Sequence, residues 1–176
     1  GLMASALVGT DPVVFFESQR IYDVGEQFHE GGVPKEYYEI PFGKADVKRA
    51  GKDITILSFG AVLYRVLKAA DELKEKYGME AEIIDARTLV PFDKETIINS
   101  VKKTGRLVVV HEAHRNAGWG AEVAAMVTEE AFRYLDAAPV RLGTKACPLP
   151  FNVNLENAAT PQVADIVAAC RQVCYR

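Results

Sequence analysis

The sequence predicts an α/β fold, a three-layer sandwich in which helices cover both faces of a mostly parallel sheet. Two observations support this fold class. After residue 44, apolar runs of strand length alternate four times with amphipathic runs of helical length. The third apolar run, RLVVVHE, shows no polar alternation, which is typical of a parallel strand buried on both faces. Right-handed crossovers between such strands place helices on both sides of the sheet.

The first two strand–helix pairs carry clear boundary signals. ITILSFG reads as a strand, and the amphipathic run AVLYRVLKAADELKEKYG behind it has helical spacing and is closed by Gly78 as a C-cap. The strand AEIIDA follows. The next helix, DKETIINSVKKTG, is opened by Asp93 as its N-cap and closed by Gly105.

The second half of the predicted sheet continues the alternation. RLVVVHE is followed by the glycine turn AGWGAE and a long helix, EVAAMVTEEAFRYLDA. A fourth strand, about VRLGT, precedes a terminal helix for which Thr160 is the expected N-cap and Pro161 the first helical residue. We therefore assign residues 44–176 to one domain.

Residues 1–43 have a different pattern. A short helix, LMASAL, precedes one apolar strand, PVVFFES, and a long irregular stretch follows. Because an isolated helix and strand bury little surface, we expect residues 1–43 to be the tail of a truncated domain plus a linker. The aromatic linker residues could form a groove with His29, but packing on a neighbouring domain is the favoured interpretation; they are Phe28, Tyr37, Tyr38 and Phe42.

Composition excludes several classes of protein. The 176 residues are 49% hydrophobic and 26% charged, as in a soluble globular protein. With a net charge of -3 and lysines spread among glutamates, the chain has no basic stripe for nucleic acid or an anionic membrane. No apolar run approaches the roughly 20 residues of a membrane span, and the first residues lack a signal-peptide pattern, so we expect a cytoplasmic protein.

The cysteines give no sign of a disulfide framework. There are three, Cys147, Cys170 and Cys174, and none forms a CxxC pair. Cys170 and Cys174 share a face of the last helix, where two thiolates could in principle hold a metal. Without further ligands nearby, small hydrophobic residues on a helix are the favoured interpretation.

Ordered motifs along most of the chain carry a family resemblance. IDARTLVPFD, KTGRLVVVHEA and GWGAE, preceded by PVVFFES and VPKEYYEIPFG, resemble the C-terminal half of the beta subunit of thiamin-diphosphate-dependent 2-oxo acid dehydrogenases. The resemblance is strongest to the branched-chain 2-oxoisovalerate type, and the pyruvate type also fits. The pattern is shared more loosely with transketolase, whose C-terminal domain has a similar sheet. Two segments depart from it, YDVGEQFHEGG by its length and KACPLPFNVNLENAATPQ by its sequence.

The resemblance implies a role in an assembly. In that family a preceding domain binds the pyrimidine side of thiamin diphosphate, and the alpha subunit binds the diphosphate with magnesium. Residues 1–43 then hold only the end of the pyrimidine-binding domain, so this fragment is expected to bind no cofactor and to be inactive alone. We assign it no catalytic, cofactor-binding or metal-binding residue.

The partners implied are an alpha subunit, a second beta subunit and the dihydrolipoyl acyltransferase. The resemblance implies that this domain serves subunit assembly and docking to the acyltransferase. A stand-alone docking or regulatory module without chemistry is the alternative. An unpaired strand such as PVVFFE would expose its edges in a free module, which favours the fragment of a larger enzyme.

Polar residues at the predicted strand ends are candidate interface residues. Arg87 follows the second strand and is expected to form either a salt bridge across a subunit interface or one within the domain, with Asp85 or Asp93. Arg115 is a further interface candidate. Lys48, with other lysines and arginines, is expected to be a solvated charge.

The third strand ends in His111, Glu112 and His114, which could suggest a metal site or an acid–base pair. Their spacing differs from HExxH, so hydrogen-bonded strand-end histidines at a possible interface are the favoured interpretation. The turn AGWGAE could cradle a phosphate, but a tight strand-to-helix turn explains its glycines better. Trp119 is expected to be exposed there as an interface anchor.

Overall fold

A computed structural model describes residues 1–25 and 32–175 and confirms the α/β prediction. The strands are β1 (Asp46–Arg49), β2 (Ile54–Ser58), β3 (Ala81–Asp85), β4 (Leu107–His114) and β5 (Val140–Thr144). The helices are α1 (Leu2–Val8), α2 (Val62–Tyr77), α3 (Lys94–Thr104), α4 (Trp119–Ala131), α5 (Val153–Ala159) and α6 (Val163–Val173). Two short 3₁₀ helices, Gln19–Ile21 and Phe132–Tyr134, complete the regular structure of the described residues.

The strands form a single sheet in the order β1-β3-β2-β4-β5. β3, β2, β4 and β5 are mutually parallel, whereas β1 pairs antiparallel with β3 at the edge. Ile56 at the centre of β2 lies opposite Ile83 on one side and Val108 on the other. All parallel strands therefore end at one edge of the sheet, which we call the carboxyl edge; the opposite one is the amino edge.

Helices cover both faces of the sheet, as the apolar run of β4 predicts. On one face α2 and α6 pack on β2, β3 and β4, and the fully buried residues there include Ile56, Leu73 and Ile166. On the other face α3 and α4 pack on the same strands around Leu57 and Val109. The buried strands thus carry apolar side chains in both directions, the arrangement of a three-layer sandwich.

Local signals at the helix ends act as the sequence predicts. Asp93 caps α3 by accepting a hydrogen bond from the Thr96 N–H, with 3.2 Å between nitrogen and oxygen. Gly78 and Gly105 end α2 and α3 with φ of 63° and 69°, a left-handed conformation that glycine adopts without steric cost.

Two expectations about the elements are wrong, and two elements are not predicted. Residues 12–18 form no strand, and β1 and α5 have no counterpart in the predicted pattern. The short sequence of β1, DVKR, carries no apolar run that could have indicated a strand. Helix α6 begins at Val163 rather than Pro161, because Gln162 and Asp165 form its capping box and Thr160 instead ends α5.

The central position of Ile56 gives a test of the core. Ile56→Ala removes a fully buried side chain from β2 and should lower the free energy of unfolding by about 2–5 kcal/mol. Val47→Ala, on the exposed side of β1, is the control and should cost under about 1 kcal/mol. Urea unfolding of the two variants measures both values. Similar losses in both would contradict this description of the core.

Candidate functional site

The carboxyl edge of the sheet brings most of the candidate residues to one side of the domain. β3 ends at Asp85 just before Arg87, and β4 carries His111 and His114 near its end. Side chains at the ends of parallel strands are the usual place for binding sites in such sheets. The candidate residues at this edge nevertheless form two separate groups, one around Arg87 and one around His111.

Arg87 forms an ion pair within the domain. Its Nη2 lies 2.7 Å from Oδ2 of Asp46, and the Lys48 ammonium lies 2.6 Å from the same oxygen. The intradomain partner is therefore Asp46 on β1 rather than the side chain of Asp85 or Asp93. Lys48 is largely buried by this contact, so the expectation of a solvated lysine is wrong.

The backbone at Arg87 is held in an unusual conformation. Its φ is 56°, in the left-handed region that costs a non-glycine residue about 1 kcal/mol or more. The Arg87 N–H donates to Oδ1 of Asp85 at 3.1 Å, which holds the turn. Burial raises the pKa of the Asp85 carboxyl, and the Arg87 bond and the nearby cations oppose that rise.

His111 is fully buried at the end of β4 and is hydrogen-bonded through both ring nitrogens. The Gly120 N–H donates to Nε2 at 3.2 Å, so the ring proton is on Nδ1, which donates to the Ala113 carbonyl at 3.1 Å. The favoured interpretation of a hydrogen-bonded strand-end histidine is confirmed for this residue. Burial lowers the pKa of His111, and the positive charge of Arg141 lowers it further.

The two glycines of the AGWGAE turn make room for the His111 ring. A Cβ on Gly120 would lie 2.7 Å from Nε2, and a Cβ on Gly118 would overlap the His114 carbonyl oxygen and lie 2.8 Å from Cε1 of His111. Neither glycine has a positive φ. They are therefore required for the close approach of α4 to the histidine rather than for an unusual turn conformation.

Trp119 begins α4 and is half-buried, so the expectation that it is exposed is wrong, whereas its interface role stays a prediction. Its ring makes edge-to-face contacts with the rings of Phe59 and Phe92, at 5.3 and 5.0 Å between centroids respectively. The two phenylalanines follow β2 and β3, so Trp119 joins three strand ends. This packing could not be predicted from the turn alone, because both partners are distant in sequence.

His114 and Arg115 are exposed and lie apart from the His111 ring. Nε2 of His114 lies 3.1 Å from the Cys147 carbonyl, and the Arg115 N–H donates to the Thr144 carbonyl at 3.1 Å. These bonds tie the end of β4 to β5 and to the loop that follows it. The interface role predicted for both residues stays a prediction.

The AGWGAE turn does not fit the diphosphate of a thiamin cofactor. The Gly120 N–H is bonded to His111, and the Ala121 N–H donates to the Gly118 carbonyl at 2.9 Å. Two of the amide groups that would cradle a phosphate at this helix start are thus already used within the chain.

Further features concern only the described part of the chain. No three His, Cys, Asp or Glu side chains in residues 1–25 and 32–175 lie together as metal ligands could. Within the same ranges, no helix has the length and apolar character needed to cross a membrane. Of the residues of the predicted linker groove, Phe28 and His29 lie outside the described residues, and Tyr37 is exposed.

Comparison with protein families follows the fold. Residues 43–166 match the family model described as "Transketolase, C-terminal domain". The chain belongs to this family. Among solved structures, this transketolase C-terminal domain resembles a split-gene transketolase, an inactive beta4 tetramer, with a TM-score of 0.68. The two chains are 28% identical, and the match covers 82% of this chain and 46% of the other.

Curated relatives of this transketolase C-terminal domain include beta subunits. The pyruvate dehydrogenase E1 component subunit beta of Rhizobium meliloti (strain 1021) is 44% identical over the whole chain, which spans 37% of that protein. The mitochondrial protein of the same description from Dictyostelium discoideum is 43% identical, and the chain spans 49% of it. The chain thus spans about half or less of the length of these relatives. The resemblance predicted from the sequence motifs is confirmed.

The contact between α4 and His111 can be tested by adding one methyl group. Gly120→Ala should lower the free energy of unfolding by about 1–3 kcal/mol, because the Cβ overlaps a buried ring that cannot move into solvent. Gly25→Ala is the matched control, since a Cβ there meets no atom within 4 Å and the change should cost under about 0.5 kcal/mol. Urea titrations measure both. Equal stability of the two variants would show that the glycine is not required.

The lowered pKa of His111 predicts that the protein becomes less stable in mild acid. The unfolded chain protonates this histidine near its ordinary pKa of 6.5, whereas the folded chain resists protonation until a lower pH. The stability contributed by the neutral ring is therefore complete above about pH 6.5 and is lost as the pH falls through the folded pKa.

His111→Gln keeps a hydrogen-bonding side chain without this titration. Its free energy of unfolding should fall less than that of the original protein between pH 7.5 and about pH 5. His114→Gln, which removes one histidine and leaves the buried His111 ring in place, is the control. Urea unfolding at several pH values tests both variants. If the free energy of unfolding changed equally with pH in the original protein and in His111→Gln, the lowered pKa of His111 would be contradicted.

Proposed function

We propose that this chain is the C-terminal domain of the beta subunit of a decarboxylating 2-oxo acid dehydrogenase component of the pyruvate type. The observation that carries the proposal is the identity of 42–44% to pyruvate dehydrogenase E1 beta subunits over nearly the whole chain. The branched-chain type also fits the motifs. We favour pyruvate as the substrate because these relatives are described as pyruvate dehydrogenase subunits.

The chemistry of the whole enzyme belongs to thiamin diphosphate with magnesium, held by the pyrimidine-binding domain and the alpha subunit. When bound there, the cofactor would supply the nucleophilic carbon and the electron sink that decarboxylation of a 2-oxo acid needs. In the present chain, the buried His111 ring is bonded to Gly120 and Ala113. We propose that the domain contributes assembly and docking rather than a catalytic group.

The part of the carboxyl edge that contacts the N-terminal segment is the surface that we propose for subunit assembly. The first residues of the chain attach at this edge, where the Gly43 N–H donates to the Thr88 hydroxyl and Arg20 pairs with Glu156 of α5. Fully exposed Phe151 lies just before α5. A neighbouring domain or subunit that continues from the N-terminal segment would cover this aromatic side chain.

The amino edge faces away from that attachment and offers a different surface. Phe132 and Tyr134 are 69% and 51% exposed there, and Tyr175 is 77% exposed. Phe132 and Tyr175 line a cleft of about 390 Å³ that also includes Asp136. Exposed aromatic residues around a cleft are typical anchors of protein interfaces. We propose this amino-edge cleft as the docking surface for the dihydrolipoyl acyltransferase.

The two proposed surfaces can be tested by substitutions that should each impair one function and leave the other unchanged. In the assembled beta subunit, Phe132→Ser with Tyr134→Ser should weaken binding to the acyltransferase by about tenfold or more and leave assembly with the alpha subunit unchanged. Phe151→Ser should weaken assembly and leave acyltransferase binding unchanged. Gel filtration measures assembly, and calorimetric titration with the acyltransferase measures docking.

The controls make the result specific. Each variant is the control for the other, and thermal melting shows whether both remain folded. The division into two surfaces would be contradicted if one variant lost both assembly and acyltransferase binding. It would also be contradicted if both variants kept both functions. An isolated chain that bound acyltransferase normally but never an alpha subunit would favour the stand-alone docking module.

A further inference from the structure

A second cleft, of about 380 Å³, opens at the carboxyl edge where β5 ends beside the start of α6. Its charged lining residues are Arg115, Arg141, Lys145 and Asp165. Three cations against one carboxylate leave two net positive charges in the cleft, although the whole chain carries a net charge of -3. The positive charge is thus concentrated at one place on an otherwise acidic protein.

Two of the three cations are held in place without being neutralised. Arg141 Nη1 donates to the Arg115 carbonyl at 3.2 Å, and Lys145 Nζ donates to the Ala158 carbonyl at 2.7 Å. A guanidinium has five N–H donors and an ammonium has three, so these bonds leave most donors available. Within the described residues, none of the ion pairs involves Arg115, Arg141 or Lys145.

The single carboxylate of the cleft is already used by the backbone. Oδ2 of Asp165 accepts a hydrogen bond from the Gln162 N–H at 2.9 Å, as part of the capping box of α6. Its position is therefore explained by the helix start. An ion pair with one of the three cations is not what holds it there.

The backbone around the cleft is built to bring two strands close together. A Cβ on Gly143 would lie 2.9 Å from both the nitrogen and the Cα of Arg115, so only glycine permits this approach of β5 to the end of β4. The Arg115 N–H donates to the Thr144 carbonyl and fixes the contact. The cations of the two strands thereby line one cleft.

We propose that this cleft binds the phosphate group of a small soluble molecule. Two net positive charges match a phosphate dianion better than a monocarboxylate, and the planar forks of Arg115 and Arg141 suit oxyanion oxygens. Lys145 adds a third donor group from the loop after β5. The volume of the cleft exceeds that of a bare phosphate and leaves room for a small organic part.

Calorimetric titration of the chain with inorganic phosphate at low ionic strength tests the site. The original protein should bind it with a dissociation constant of about 1 mM or lower. Arg141→Gln combined with Lys145→Gln should weaken binding by about tenfold or more. Arg133→Gln removes an exposed arginine before β5, near the amino edge, and is the matched control that should bind phosphate normally.

Two further measurements separate the outcomes. Tighter binding of glycerol phosphate than of inorganic phosphate would identify an ester as the ligand, and equal binding would identify the free ion; both support the site. Thermal melting confirms that the variants are folded. No phosphate binding by the original protein, normal binding by the double variant, or an equal loss in Arg133→Gln would overturn the proposal.

Discussion

The contact between His111 and the first turn of α4 is the constraint on which the carboxyl edge depends. The ring is fully buried and neutral, accepts the Gly120 N–H and donates to the Ala113 carbonyl. A protonated ring would turn its acceptor into a donor and place a positive charge at the positive end of a helix. The close approach also requires glycine at positions 118 and 120. One neutral imidazole therefore fixes both the end of β4 and the start of α4.

Several features of the edge follow from that contact. Because α4 begins so close to β4, Trp119 is directed between Phe59 and Phe92 and joins the loops that follow three strands. Arg87 at the neighbouring strand end is bound to Asp46 of the antiparallel β1. The most conspicuous residues of the edge are thus bonded to partners within the domain.

Sequence reasoning predicts what is determined locally. The caps at Asp93, Gly78 and Gly105 depend on their own neighbours, so the ends of α2 and α3 could be predicted. The partner of Arg87 lies 41 residues away, in a four-residue strand with no apolar pattern, and gave no signal. The burial of Trp119 likewise depends on two loops that only the folded sheet brings together. The exposed aromatic residues of the amino edge look like helix core residues in the sequence, because their exposure is set by how α4 ends.

The central claim is that this domain works as part of a pyruvate-decarboxylating assembly. The most direct measurement is to precipitate the native protein from its source cells with an antibody to this chain and assay release of carbon dioxide from pyruvate with added thiamin diphosphate and magnesium. Our account predicts that an alpha subunit is recovered with the protein and that the precipitate is active. Recovery of the protein alone, without decarboxylase activity, would contradict the account.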